Sequence, residues 1–307
     1  MPEGDTIRRL AEAVRTRFAG QTVRRDTFRH PRLATATFVG AVLLDAASFG
    51  KHLFLRFDDG RSMHVHLLMQ GRVAVGGSAP AMRGRVGDDE TWRKCFELWF
   101  DSGPLVGIDI PLLHVVPTAE EHGFIDHLGP DLCADHFEAE RDLTIGRNRM
   151  LTEPDAPLGG ALLEQRHLAG FGNIYAVETP FICGVSPYRP IGTIDGLLPL
   201  LHIGAALIRT NAARGPQNTT GRRLADSDHW ILSGDRRSCR VCSGQLERRR
   251  ETEVAWQRRT VRCPTCQPDD SGSVDLDRAE RLLRLHPAHR SIPWGDWGRV
   301  GRRASPI

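Results

Sequence analysis

The chain opens Met1-Pro2-Glu3, a start capable of covalent chemistry. Proline in second place is small enough for Met1 to be removed, which leaves Pro2 with a free secondary amine. An α-amine titrates at about 7.7–8.0, and a following helix favours its unprotonated form further through the dipole. Such an amine can attack the C1′ carbon of a sugar and form an iminium. Glu3, next door, can shuttle protons to the sugar oxygen. Many chains begin this way with proline serving only as the first residue of a helix, so the pair alone leaves both readings open.

Two further groups carry chemistry. Cys239-Arg-Val-Cys242 and Cys263-Pro-Thr-Cys266 are separated by twenty residues. Each pair offers two thiolates from one tight turn, and two such turns close a tetrahedron around Zn²⁺. Two disulfides are the alternative, but no secretion signal points to an oxidising compartment. A closed four-sulfur site makes the zinc structural, and residues 247–262 between the pairs can fold back as a β-hairpin presenting Arg258, Arg259 and Arg262. The remaining cysteines, Cys95, Cys133 and Cys183, sit among apolar neighbours and read as buried thiols. Lysine is the other signal. Of 41 basic residues only Lys51 and Lys94 are lysine, the type that can lose a proton or present a compact point charge.

These residues need elements to hold them. Ile7, Leu10, Ala11, Val14 and Phe18 recur at helical spacing, with Gly20 as a stop. Residues 51–57 alternate, break at Asp58-Asp59-Gly60 and resume through 63–67, which predicts a hairpin. Residues 72–75, 96–100 and 105–108 continue the β pattern, and many short strands suggest a sandwich or barrel. Residues 76–90 read as a flexible loop. From about Ala119 the pattern turns helical, most clearly at 158–164, 173–183 and 197–210, with Gly170-Phe171-Gly172 as a joint between two helices. The net charge is only +3, but residues 229–266 hold nine Arg against Asp235, Glu247, Glu251 and Glu253. Such a block suggests phosphate binding, or simply a solvated face. A 40% hydrophobic content can fill a core, and no apolar run is long enough to span a bilayer. The expectation is a cytoplasmic, nucleoid-associated monomer with no membrane partner.

Met1-Pro2-Glu3-Gly4-Asp5, Gly50-Lys51-His52-Leu53, the run from Leu168 to Tyr175 and the two cysteine pairs occur in one order. In that combination the chain resembles the formamidopyrimidine-DNA glycosylase/endonuclease VIII family over residues 1 to about 267. Within it the chain is most similar to the actinobacterial endonuclease VIII-like branch, which shares the Met-Pro-Glu-Gly-Asp-Thr start and a stretch like His127–Leu132. The resemblance implies an α+β fold in four parts. These are an N-terminal β-sandwich with a leading helix (1–118), a helix–two-turn–helix domain (119–228), a β-hairpin zinc finger (229–267) and a C-terminal extension (268–307). It implies a bifunctional glycosylase and abasic-site lyase acting on damaged double-stranded DNA, with β- and δ-elimination. Pro2 is then the nucleophile, Glu3 the general acid/base and Lys51 an aid to β-elimination. His66, Asn173 and Arg258 fall on phosphate-contacting positions, and Arg258 also serves strand cleavage. Leu68, Met69 and Gln70 fall where the family inserts a wedge into the base stack. By type alone Met69 could be core, His66 structural and Asn173 a helix cap.

The lesion follows from a departure. The 8-oxoguanine branch places an Arg and a Phe in a later loop, and here Asp109-Ile110-Pro111-Leu112-Leu113-His114 holds neither. Oxidised pyrimidines are therefore the expected substrates, unless Arg83, Arg85 or Arg93 substitutes. The alternatives are an 8-oxoguanine- or formamidopyrimidine-preferring enzyme, or a catalytically silent zinc-containing DNA-binding protein. Other departures are Leu232-Ser233-Gly234 in place of a Tyr-Gly-Arg run, so that one phosphate-side arginine is missing or shifted to Arg236, and Pro180 inside a helix.

Overall fold

The computed structural model describes residues 2–30, 33, 35–77, 92–222, 228–234, 236–295 and 297. It divides into two compact units, Met1–His136 and Phe137–Ile307. The loop expected at 76–90 falls mostly outside the described residues, as do Arg83 and Arg85.

The first unit begins with α1 (Gly4–Phe18), whose Ile7, Ala11, Val14 and Phe18 are fully buried, as their spacing requires. Eight strands follow: β1 (Arg25–Phe28), β2 (Leu43–Phe49), β3 (His52–Phe57), β4 (Arg61–His66), β5 (Arg72–Val75), β6 (Lys94–Phe100), β7 (Gly103–Ile108) and β8 (Leu112–Pro117). They form two four-stranded antiparallel sheets, ordered β1-β6-β7-β5 and β2-β3-β4-β8. Leu53, Leu55 and Phe57 of β3 and Met63 and Val65 of β4 join the α1 side chains in one core. Phe18 stacks on Phe100 at 4.6 Å between ring centres, and Phe38 meets Phe57 at 4.2 Å.

The second unit holds α2 (Ala139–Met150), α3 (Leu158–Leu163), α4 (Asn173–Ile182), α5 (Leu197–Arg214), the strand pair β9 (Glu247–Arg249) and β10 (Thr260–Arg262), and α6 (Leu276–Leu283). Gly204 of α5 is where Phe171 packs: a Cβ there would lie 2.7 Å from the ring, so glycine lets the 170–172 joint seat against the helix. Pro180 lies within α4, and the helix runs only two residues beyond it. The described part of the extension, up to Trp297, packs on the rest of the unit. Ala279, Leu283 and Ala288 are fully buried, Asp275 N–H donates to Cys183 O at 2.9 Å, and Trp297 meets the His202 ring of α5 edge-on at 5.4 Å. Among the described residues no helix is long and apolar enough to cross a membrane.

Candidate active site and metal centre

The four cysteines expected to hold metal do converge. Cys242 Sγ lies 3.4 Å from Cys263 Sγ, Cys239 Sγ lies 3.9 Å from Cys266 Sγ, and all four sulfurs fall within 4.8 Å of one another. Sulfurs about 2.3 Å from a tetrahedral zinc stand about 3.8 Å apart, so the spacing suits that ion, whereas a disulfide needs about 2.05 Å. The turns are built for thiolates. Val241 N–H donates to Cys239 Sγ at 3.3 Å and Gly244 N–H to Cys242 Sγ at 3.4 Å. Burial opposes ionisation of Cys242, but the Gly244 N–H and the neighbouring thiols bring it down to about 7; burial raises Cys263 and Cys266. A bound cation would draw off those protons.

The hairpin between the pairs presents Arg258 and Arg259 to solvent, with Arg258 Nη1 on Gln257 O at 2.9 Å. Arg262 corrects the sequence reading. It is buried, with Nε 2.6 Å from Glu247 and its guanidinium tip on Asp269 and Ser186. All three residues of β10 are buried, so this arginine braces the finger and is not displayed. In the same unit Asn173 occupies the first turn of α4, and its Nδ2 donates to Arg259 O at 2.9 Å. The cap position is Gly172, so Asn173 is not the helix cap, and its buried Oδ1 has no partner among the described residues.

In the first unit Pro2 is buried and Glu3, fully buried, is the N-cap of α1, its carbonyl accepting from Ile7 N–H at 3.0 Å. Gly50, at φ +54, turns β2 into β3 and brings Lys51 to the tip of that turn, half-buried. The other lysine, Lys94, is tied to Glu97 at 3.0 Å. Between β4 and β5 the chain loops through Leu68 at φ +46. Leu68 and Met69 are exposed, 44% and 54%, so Met69 is not a core residue. His66 accepts at Nδ1 from Leu68 N–H at 3.2 Å. Its pKa is pushed down from the ordinary 6.5 to about 4, first by burial and then by Lys51. A neutral ring that accepts at Nδ1 carries its proton on Nε2, a donor suited to a phosphate oxygen.

The formamidopyrimidine-DNA glycosylase N-terminal domain model matches residues 1–104. A probable endonuclease 8 of Streptomyces coelicolor is 35% identical over 269 residues, covering 87% of this chain and 94% of its own. The chain belongs to the formamidopyrimidine-DNA glycosylase and endonuclease 8 family of DNA-repair enzymes. A DNA-(apurinic or apyrimidinic site) lyase, Nei2, of Mycolicibacterium smegmatis is 32% identical across 87% of this chain and 99% of its own. The solved Lactococcus lactis formamidopyrimidine-DNA glycosylase bound to abasic-site DNA shares the fold. Its TM-score is 0.67 over 87% of this chain and 100% of its own, at 19% identity.

Asp109, first in the stretch that lacks the Arg and Phe, binds the Arg93 guanidinium through both oxygens and lies 3.8 Å from Arg72. Arg93, considered as a substitute reader of the opposite base, is thus held within the first unit. Leu112 and Leu113 continue into β8 as strand, not loop. Two groups were not legible in the sequence. Glu178 of α4 is fully buried and accepts four hydrogen bonds, from Thr219 Oγ1 (2.6 Å) and from the N–H groups of Trp230 (2.7 Å), Ile231 (2.9 Å) and Leu232 (2.8 Å). It thereby ties down the Leu232 stretch that leads into Cys239. The second group is a row of histidines, His52, His64 and His114, on the sheet face beside Lys51 and His66. Alternation would have hinted at it, since His52 and Phe54, and His64 and His66, share the face opposite the core residues of β3 and β4.

Proposed function

We propose that this protein excises oxidised bases from duplex DNA, pyrimidines ahead of 8-oxoguanine opposite cytosine, and then cleaves the strand by β- and δ-elimination. The observation that carries the reading is the Pro2–Glu3 pair, buried where α1 begins. With Met1 removed, the Pro2 nitrogen attacks C1′ and the base departs as the glycosidic bond breaks. The C1′–O4′ bond then opens, with Glu3 supplying the proton to O4′, and the iminium forms. Loss of a C2′ proton expels the 3′-phosphate, assisted by Lys51, and a second elimination expels the 5′-phosphate. His66, Asn173 and Arg258 grip phosphates, while Leu68, Met69 and Gln70 fill the space left by the extruded base. Cys239, Cys242, Cys263 and Cys266 would hold a structural Zn²⁺, which supplies rigidity to the 229–267 finger and no chemistry. The names of the relatives and the DNA in the neighbouring structure support DNA as partner.

Borohydride reduction on abasic-site DNA tests the covalent step: the trapped peptide should carry the adduct on Pro2. Recovery on Lys51 would overturn the assignment. Single-turnover excision of thymine glycol and dihydrouracil against 8-oxoguanine opposite cytosine tests the lesion. Faster removal of 8-oxoguanine, with strong dependence on that cytosine, would favour the other substrate class.

A further inference from the structure

The outer face of the β2-β3-β4-β8 sheet should be wet, yet Phe54 and His64 on it are 1% and 2% exposed. The segment after β8 covers them: the Phe124 ring lies 4.1 Å from the His64 ring. Three imidazoles run across the strands beneath it. His52 Nδ1 lies 2.9 Å from His64 Nε2, and His64 Nδ1 lies 3.4 Å from His114 Nδ1, with neighbouring rings within 15° of parallel. One end of the row is chemically loaded. His52 directly follows Lys51 and meets the His66 ring edge-on at 4.7 Å, and His66 in turn holds Leu68 N–H.

His52 and His64 are uncharged at neutral pH. Burial first, then His66, His64, His127 and Lys51, hold His52 near 3, and burial with His114 and His66 holds His64 near 3. Beyond it on the same face, Arg56 is neutralised by Glu121 at 2.7 Å, which also accepts from Ser62. A neutral imidazole has one donor and one acceptor. His64 uses both nitrogens, so its proton position sets those of His52 and His114 together.

We propose that His64 is a positioning residue for strand cleavage. Through His52 it fixes the Lys51 turn and the His66 ring, so that the lysine tip and the Leu68–Gln70 loop are held as one rigid piece. The proposal rests on the roles given above to Lys51 and His66. It asks nothing of His64 at the reacting atoms.

The test uses the full-length, zinc-loaded protein and two variants. His64→Phe keeps the ring contacts with Phe54 and Phe124 but removes both nitrogen contacts. His64→Gln places an amide where Nε2 stood. In His64→Phe, cleavage of a preformed abasic site should slow about tenfold or more, the size expected of a slightly misplaced catalytic group, while excision of the damaged base slows less. His64→Gln should recover most of the loss. Nitrogen-15 spectra of the imidazoles should show His66 protonated at Nε2 and the His52 and His66 signals shifted in His64→Phe. Wild-type cleavage by His64→Phe, equal slowing of both steps, or no rescue by glutamine would each overturn the proposal. If the wild-type protein cleaves no abasic site, the functional reading fails instead, and unshifted His52 and His66 signals in His64→Phe would still refute the coupling.

Discussion

Replacing Glu178 by Gln should loosen the approach to the zinc finger without removing an atom from the packing. Each carboxylate oxygen accepts two bonds: Oε1 from the Ile231 and Leu232 N–H groups, Oε2 from Trp230 N–H and the Thr219 hydroxyl. Four donors leave the group no room to donate. Whichever oxygen becomes an amide nitrogen, at least one backbone N–H then faces another donor in a dry site. That orphaned group costs about 1–3 kcal/mol, and turning the remaining charge-assisted bonds into neutral ones costs about 1 kcal/mol each. Burying a neutral side chain instead of an ion offsets part of this, which leaves about 3 kcal/mol. For a unit of this size that is a fall of about 6–12 °C in Tm. Calorimetry reads the shift, and release of zinc to a colorimetric chelator should quicken, because residues 230–232 lead into Cys239. A Glu178→Gln protein that melts and retains zinc like wild type would refute the reasoning.

Acid should unfold the first unit early. His52, His64 and His66 have folded values near 3, 3 and 4 against an ordinary 6.5, so their contribution is whole above about 6.5 and lost as pH falls toward 4. For buried His64 alone the slope is about 1.4 kcal/mol per pH unit, and urea midpoints at stepped pH should flatten in His64→Phe. Arg258→Ala, which removes an exposed cation, should weaken DNA binding and lower the salt slope by about one, read by fluorescence anisotropy at several salt concentrations. Cys263→Ser should abolish stoichiometric zinc, measured by atomic absorption, and cripple DNA binding while the melting of the first unit persists. Ending the chain after Gln267 should leave abasic-site cleavage intact at low temperature but lower the Tm, since it removes Leu283 and Ala288 and with them the cover over α4 and α5. Loss of cleavage with an unchanged Tm would argue that the extension acts in the reaction.

Local signals were readable, and distant ones were not. The α1 stripe and the C-x-x-C pairs declare themselves within a few residues, so helix and metal cluster could both be placed from spacing. The hairpin of β3 and β4 was visible for the same reason, and with it the Lys51 turn. Glu178 could not be found this way, because its partners lie 41 to 54 residues away. The histidine row needs the register of three strands at once. Arg262 misled because a basic hairpin looks displayed until its strand proves buried on every residue. The helix α2 was not singled out, since only Leu143, Gly146 and Met150, with Asp142, are buried among its charges.

The folded extension bears on how the protein is made. Domains close in order as a chain leaves the ribosome. The first unit ends at His136, so all its strands are present while the second is still being translated. The second unit cannot finish so soon. Ala279, Leu283, Ala288 and Ile292 belong to its buried core, and they follow all four clustered cysteines in the sequence. A nascent chain ending just past Cys266 therefore still lacks the cover over the apolar sides of α4 and α5. Between translation of Cys266 and of Ile292 the second unit carries uncovered apolar surface, the condition that favours aggregation of an incomplete domain.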